Sequence, residues 1–353
     1  MNMKNVAVLF GGRSSEYDVS LSSAYAVLSN IDREAFNVAM IGITRQGEWR
    51  LYEGDLEAIR NNTWWKAELP CVKVNMTTAK LCADAGNGTE REIPCDAVLA
   101  VLHGACGEDG TMQGLFAVCG IPVVGCGCTS SAVCMDKALT KAIISMETDI
   151  PQAKVVVAHR ETTASVEELR ARCEDVLGGY PMFVKPACSG SSVGASKVKT
   201  ADDFARAVEI AFDEGEKIMI EECITGCEVE LAVLEEKGSY TVSMPAEIDI
   251  GSSEFYDYET KYISDASSYY IPARLSPEET EKVRGYALTI FKALECRGFS
   301  RVDFFYTKEG RFVFNEINTI PGFTPISMYP RLMIHSGISY SELITRLINS
   351  AVK

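Results

Sequence analysis

Apolar positions along the 353-residue chain fall into short runs separated by longer amphipathic stretches. Residues 6–10 are an uninterrupted apolar run followed by Gly11-Gly12. A 3.6-residue period comes next, with Leu21, Ala24, Tyr25 and Leu28 on one face, and then a second apolar run at 38–43. The order strand, glycine turn, helix, strand predicts a parallel sheet with a crossover helix. Residues 61–94 are less regular and carry turn clusters such as 85–88. A buried strand is expected at 96–102, ending at His103-Gly104, and a last short strand of this first unit at 121–125.

A second unit begins near residue 126. Its pattern predicts helices at 130–137 and 139–147, a strand at 154–158, a helix at 165–177 and a strand at 181–184. A Gly/Ser-rich turn at 188–194, an amphipathic helix at 201–214 and a strand at 217–221 follow. The third unit is strand-rich, with runs at 228–235 and 240–248. Residues 251–271 are polar and aromatic with neither period, and loops that long are usually functional lids or disordered. A helix at 277–294, strands at 300–306 and 311–317 joined by Lys308-Glu309-Gly310, and a helix at 339–348 complete the pattern. The expectation is an α/β (α+β) protein of three units, 1–125, 126–220 and 221–353, with a lid loop at 251–271 in the third.

Composition narrows the function classes. Hydrophobic residues at 47% suffice for a large core. The formal net charge of -15 opposes non-specific binding to nucleic acid or to an anionic membrane face, but not binding of a single nucleotide. No run of 18 apolar residues and no signal-peptide pattern is present, so a cytoplasmic protein is expected. The thirteen cysteines are scattered through apolar segments and most read as small buried hydrophobes. With three histidines and no Cys-x-x-Cys pair, Cys126-Gly-Cys128 is not read as a zinc site.

Five segments carry chemistry. Gly11-Gly12-Arg13-Ser14-Ser15-Glu16 sits between a strand and a helix, where glycines allow close backbone approach to a ligand. It reads equally as a plain turn, but Glu16 suits the ammonium of an amino acid better than a phosphate. Lys185 is delivered by a strand into the loop Cys188-Ser189-Gly190-Ser191-Ser192-Val193-Gly194, which can fold over phosphates without Walker A order; the alternative is an ordinary surface loop. Glu221, Glu222 and Glu228 form an acidic cluster that, from the residues alone, reads as a solvated face.

The fourth segment is the most informative. Glu316 and Asn318 are two apart and share one face of a strand, and the short hairpin brings Asp303 opposite them. Two carboxylates and an amide among apolar strands make an oxygen cage for Mg²⁺. Arg301 points to the same side, either to neutralise an oxyanion or to form an ion pair with Glu316. Last, Pro321-Gly322-Phe323-Thr324 leads into a helix and can present N–H groups to developing negative charge.

Together these strings resemble the ATP-grasp superfamily and, within it, the D-alanine–D-alanine ligases. The resemblance runs over nearly the whole chain. It includes Gly11 to Leu21, His103-Gly104 with Gly107-Glu-Asp-Gly-Thr111, Met135-Asp-Lys137 and Lys185-Pro186. It continues through Gly190-Ser-Ser-Val-Gly194, Phe255 to Tyr262, and Asn315 to Gly322. The resemblance implies three-domain ATP-grasp architecture with ATP between the second and third domains. It implies that Lys137 and Lys185 contact phosphates, Glu221 and Glu228 hold adenine and ribose, and the loop around Lys261 closes as a lid.

Asp303, Glu316 and Asn318 would hold two Mg²⁺ ions, with Mn²⁺ as a substitute. Glu16 would receive the ammonium of the first D-alanine, linked to Ser191 and Tyr262, with His103 near that substrate. Arg301 and the Gly322 N–H would cradle the oxyanion, and Ser327 would meet the carboxylate of the second substrate. D-alanine and ATP are the implied substrates and a homodimer the implied assembly.

Two departures stand out. Cys188-Ser189 replaces the usual Arg-Glu, removing one acidic partner of the lid. Pro325-Ile326-Ser327-Met328 replaces the usual Ser-His-Ser-Leu. Related ligases take D-serine or D-lactate as acceptor, and the strings 41–44 and 61–64 look like the serine type. Tyr262 disfavours lactate, and Met328 offers nothing to a serine hydroxyl, so D-alanine is expected as acceptor with D-serine the alternative. A nucleotide-binding regulator without catalysis is disfavoured by the intact Asp303/Glu316/Asn318 set.

Overall fold

The structure, a computed structural model, describes residues 3–66, 68–86, 88–190, 193–249 and 268–352. Ser191, Lys261, Tyr262 and most of the expected lid loop lie outside the described residues.

The parallel crossover of the first unit is built as its pattern predicts. Lys4–Gly11 runs parallel to Phe36–Ile43 on one side and to Ala97–Val101 on the other. The helix Tyr17–Asn30 makes the crossover, burying Leu21, Ala24 and Leu28 while Tyr25 is half-exposed. An antiparallel edge strand, Trp49–Tyr52, was not legible in the sequence. Nor was the antiparallel sheet Val72–Asn75, Lys80–Gly86 and Thr89–Ile93 within the stretch read as irregular. Its outer strand is exposed at four of five positions, so it has no apolar alternation to reveal it. The strand expected at 121–125 reduces to a parallel bridge between Val98 and Val123. Pro122 lacks the N–H needed to extend it.

The central sheet is antiparallel, in the order Ser196–Val198, Met182–Pro186, Lys217–Glu222, Val155–His159. Helices Val166–Leu177 and Ala201–Asp213 bury Leu169, Cys173, Phe204, Val208 and Ala211 in its core. Ser165 caps the first helix by accepting from Glu168 N, and Gly178 ends it at φ 85°.

The third sheet is antiparallel and centres on Gly226–Glu236 beside Phe299–Thr307, which pairs in turn with Phe312–Asn318. The single strand expected at 240–248 is two, Ser239–Val242 and Ala246–Asp249, both paired to Gly226–Glu236. The break falls at Met244-Pro245, where proline cannot donate to the ladder.

Packing crosses the sequence divisions. Cys134 and Ile144, from helices Cys128–Met135 and Lys137–Glu147, enter the core of the third sheet beside Val229, Leu231 and Val302. The C-terminal helices Met328–His335 and Tyr340–Ala351 instead place Leu332, Leu343 and Leu347 in one core with Val6, Leu21 and Leu99 of the first unit. No helix among the described residues is long and apolar enough to cross a membrane.

Candidate active site

The hairpin of the third sheet sets the centre of a cleft of about 280 Å³ lined by all three units. Asp303 is the register partner of Glu230 on one side and Glu316 on the other, and Arg301 is the partner of Asn318. The alternation that puts Arg301 and Asp303 on one face therefore also collects Glu230, Glu316 and Asn318.

Arg301 Nε and Nη2 donate to the two Asp303 oxygens at 2.8 and 2.7 Å, and Nε lies 3.1 Å from Glu230 Oε2. Burial would weaken the guanidinium's hold on its proton, but Asp303 and Glu230 raise its pKa well above the ordinary value. The ion pair with Glu316 considered from the sequence is not the one formed. Glu316 instead lies 3.4 Å from Lys137 Nζ.

Lys137 opens its helix behind Asp136, whose carboxylate caps the N–H groups of Ala138 and Leu139. Its Nζ also donates to the Ser189 carbonyl at 2.7 Å, which ties the Gly/Ser loop to the cleft. Glu16 reaches the same loop from the first unit. A Cβ on Gly190 would stand 2.8 Å from Glu16 Oε2, and one on Gly104 would stand 2.6 Å from it. Two glycines from distant segments thus make room for one carboxylate, and the first two sequence motifs meet there.

His103 is buried behind Glu16. Its Nδ1 is 2.9 Å from the Ile320 carbonyl and 3.4 Å from Glu108 Oε1, and its Nε2 is 3.1 Å from Ser23 Oγ. Burial lowers its pKa, but Glu108 and the Ile320 carbonyl outweigh that and raise it. Burial raises the pKa of Glu108. Ser23 Oγ also accepts from Phe323 N at 3.2 Å, so the first helix fixes the Pro-Gly turn holding Gly322. Ser327 follows that turn. Its Oγ lies 2.7 Å from Thr324 Oγ1 and accepts from Thr324 N at 3.1 Å. Met328 is buried at the cleft wall.

The acidic cluster at the end of the central sheet is not a solvated face. Glu221 is buried, 2.6 Å from Lys185 Nζ and 2.7 Å from Lys141 Nζ. Burial alone would raise its pKa; Lys185 and Lys141 bring it down to about 2. Burial likewise disfavours charge on Lys185, but Glu221 outweighs it and raises that pKa. Glu228 is half-buried on Gly226–Glu236, a strand of the third sheet.

Sequence reasoning missed four residues of this region. Lys141 follows Lys137 by four, one turn along the helix. Glu230 follows Glu228 by two, and Arg331 follows Ser327 by four. Glu108 lay inside a quoted string without a role. Spacing could have suggested the first three, but only the cleft shows which faces inward.

The donor set suits a hard cation. Asp303, Glu316 and Asn318 offer oxygen ligands from adjacent strands, and Mg²⁺ is commonly held by one or two carboxylates together with substrate phosphates. Among the described residues no group of three or more His, Cys, Asp or Glu is placed to hold a metal. Any cation here would take its third protein ligand from Asn318, whose Nδ2 donates to Asp303 at 3.1 Å.

The chain is similar to known proteins over nearly its whole length. The family model for the D-ala D-ala ligase N-terminus matches residues 5–126, and that for the D-ala D-ala ligase C-terminus matches 144–349. A D-alanine–D-alanine ligase of Caldicellulosiruptor bescii is 46% identical, with 100% of this chain and 96% of that protein covered. The solved VanG D-Ala:D-Ser ligase of Enterococcus faecalis is 43% identical with a TM-score of 0.89, covering 99% of this chain and 100% of that one. The D-alanine–D-alanine ligase structure from Coxiella burnetii is 31% identical with a TM-score of 0.84, covering 99% and 95%.

Proposed function

We infer that this chain, which belongs to the D-alanine–D-alanine ligase family, joins two D-alanines at the expense of ATP and so supplies a dipeptide for peptidoglycan precursors. The observation that carries this reading is the meeting of Glu16 with the Gly/Ser loop across from Arg301, Glu316 and Lys137 in one cleft. An amino-acid ammonium and a nucleotide phosphate are thereby accommodated side by side.

In this reading the donor D-alanine places its ammonium on Glu16, with His103 behind it. Its carboxylate oxygen attacks the γ-phosphorus of ATP, ADP leaves, and a D-alanyl phosphate forms. Lys137 and Lys185 offset phosphate charge, while Glu221 and Glu228 hold the nucleoside. Lys185 must then be shared between Glu221 and the nucleotide. The amine of the acceptor attacks the acyl carbon, and Arg301 with the Gly322 N–H steadies the oxyanion. Phosphate leaves and the amine loses its proton. Ser327 meets the acceptor carboxylate.

Asp303, Glu316 and Asn318 are the residues that would hold Mg²⁺, which supplies charge neutralisation for phosphoryl transfer. Ser191, Lys261 and Tyr262 enter through the resemblance alone, as partners of Glu16 and of the phosphates.

D-Alanine is the acceptor favoured by Met328, an apolar side chain at the wall beside Ser327. Similarity to a D-Ala:D-Ser ligase keeps D-serine as the second reading. Mixing the protein with ATP, Mg²⁺ and D-alanine should release ADP and phosphate and yield the dipeptide; silence would sink the ligase reading. Competition among D-alanine, D-serine and D-lactate should give mainly D-alanyl-D-alanine, and a dominant D-serine product would overturn the acceptor assignment.

A further inference from the structure

Three cations line the cleft among the described residues, apart from His103: Lys137, Arg301 and Arg331. The first two are already committed to carboxylates of the protein, Lys137 to Glu316 and Arg301 to Asp303 and Glu230. Arg331 is not. Among the described residues no carboxylate oxygen lies within ion-pair distance of it.

Its guanidinium is nevertheless held in place. Nε donates to the Pro325 carbonyl at 3.1 Å, and Cζ stands 4.5 Å from the centre of the Tyr269 ring. A stacked guanidinium whose Nε is occupied keeps both terminal nitrogens available for a planar anion. Arg331 lies four residues after Ser327, on the helix that begins at Met328. The Ser327 hydroxyl is engaged with Thr324 and carries no charge, so it cannot by itself neutralise a carboxylate.

The reaction brings in two carboxylates with different fates. The donor's is consumed in forming the acyl phosphate, whereas the acceptor's survives into the dipeptide and needs a cation throughout. We propose that Arg331 binds the α-carboxylate of the acceptor amino acid, beside Ser327, and thereby selects acceptors that carry that group. This inference rests on the ligase reading above and adds a binding residue to it.

The test compares acceptors with and without the carboxylate. D-Alanine and D-alaninamide compete for the same D-alanyl phosphate, and the ratio of the two products is read for the wild-type protein and for Arg331→Gln. The ratio does not depend on how much of a preparation is folded. Loss of a charge-assisted bidentate contact should lower the preference for D-alanine by about 10- to 100-fold. KM for ATP should not move. Arg331→Lys keeps the charge and much of the stem, so it should retain an intermediate preference, and it serves if the glutamine variant does not fold. An unchanged product ratio in either variant overturns the proposal while leaving the ligase reading intact. A wild-type protein that makes neither product removes both.

Discussion

Removing the ammonium of Lys141 offers a sharp test of the electrostatics at the end of the central sheet. Glu221 is buried between Lys141 and Lys185, at 2.7 and 2.6 Å. Its carboxyl is brought from an ordinary 4.5 to about 2. A carboxyl that ionises more readily folded than unfolded contributes stability above its ordinary pKa. That contribution is lost as the pH falls from about 4.5 towards 2. At about 1.4 kcal/mol per pH unit, the net of burial and the two lysines is worth about 3 kcal/mol at neutral pH.

Lys141→Met leaves Lys185 in place and roughly conserves the buried volume, but the cost of burying Glu221 also remains, so half or more of that net is lost, about 2 kcal/mol. Urea denaturation at pH 7 should report that deficit, and the gap should narrow as the pH is lowered from about 4 towards 2, where Glu221 gains its proton first in the variant and then in the wild type. In a Glu221→Gln background, the Lys141 substitution should cost much less. A deficit that persists unchanged at low pH would assign the loss to packing, and no deficit at neutral pH would refute the coupling altogether.

Two further outcomes are expected. Gly104 has φ +71°, and a Cβ there would meet Glu16 Oε2 at 2.6 Å and Ser14 Oγ at 2.7 Å. Gly104→Ala should therefore displace Glu16, raising the donor-site KM for D-alanine by about 10-fold with little change in KM for ATP, and costing about 1 kcal/mol in melting experiments; equal effects on both substrates would dissociate Glu16 from the donor. Asp303→Asn should lower ATP-dependent turnover by roughly 10³-fold or more, because the residues that would hold Mg²⁺ lose a charged ligand; a kcat near wild type across a Mg²⁺ titration would remove Asp303 from that proposed role.

Local pattern alone determined much of this protein. The β–turn–α–β order, the hairpin that carries Arg301, Asp303, Glu316 and Asn318, and the helices around residues 166–177 and 277–293 depend on period and on near neighbours. Such features survive in a one-dimensional reading because strand alternation and short turns fix which side chains share a face. Short exposed strands such as Thr89–Ile93 bury too little to leave a pattern, and Pro245 broke a ladder whose hydrophobic run continues.

Tertiary structure decided what the charges are for. Glu221 reads as a solvated acid until Lys141 and Lys185 are brought to it from another helix and another strand. Arg301 was open to Glu316 until the register set Asp303 and Glu230 beside it. The space for Glu16 exists because Gly104 and Gly190, far apart in the chain, converge on one carboxylate. A charge buried in a low-dielectric interior must find a partner, and which partner it finds depends on chain crossings that no local period encodes.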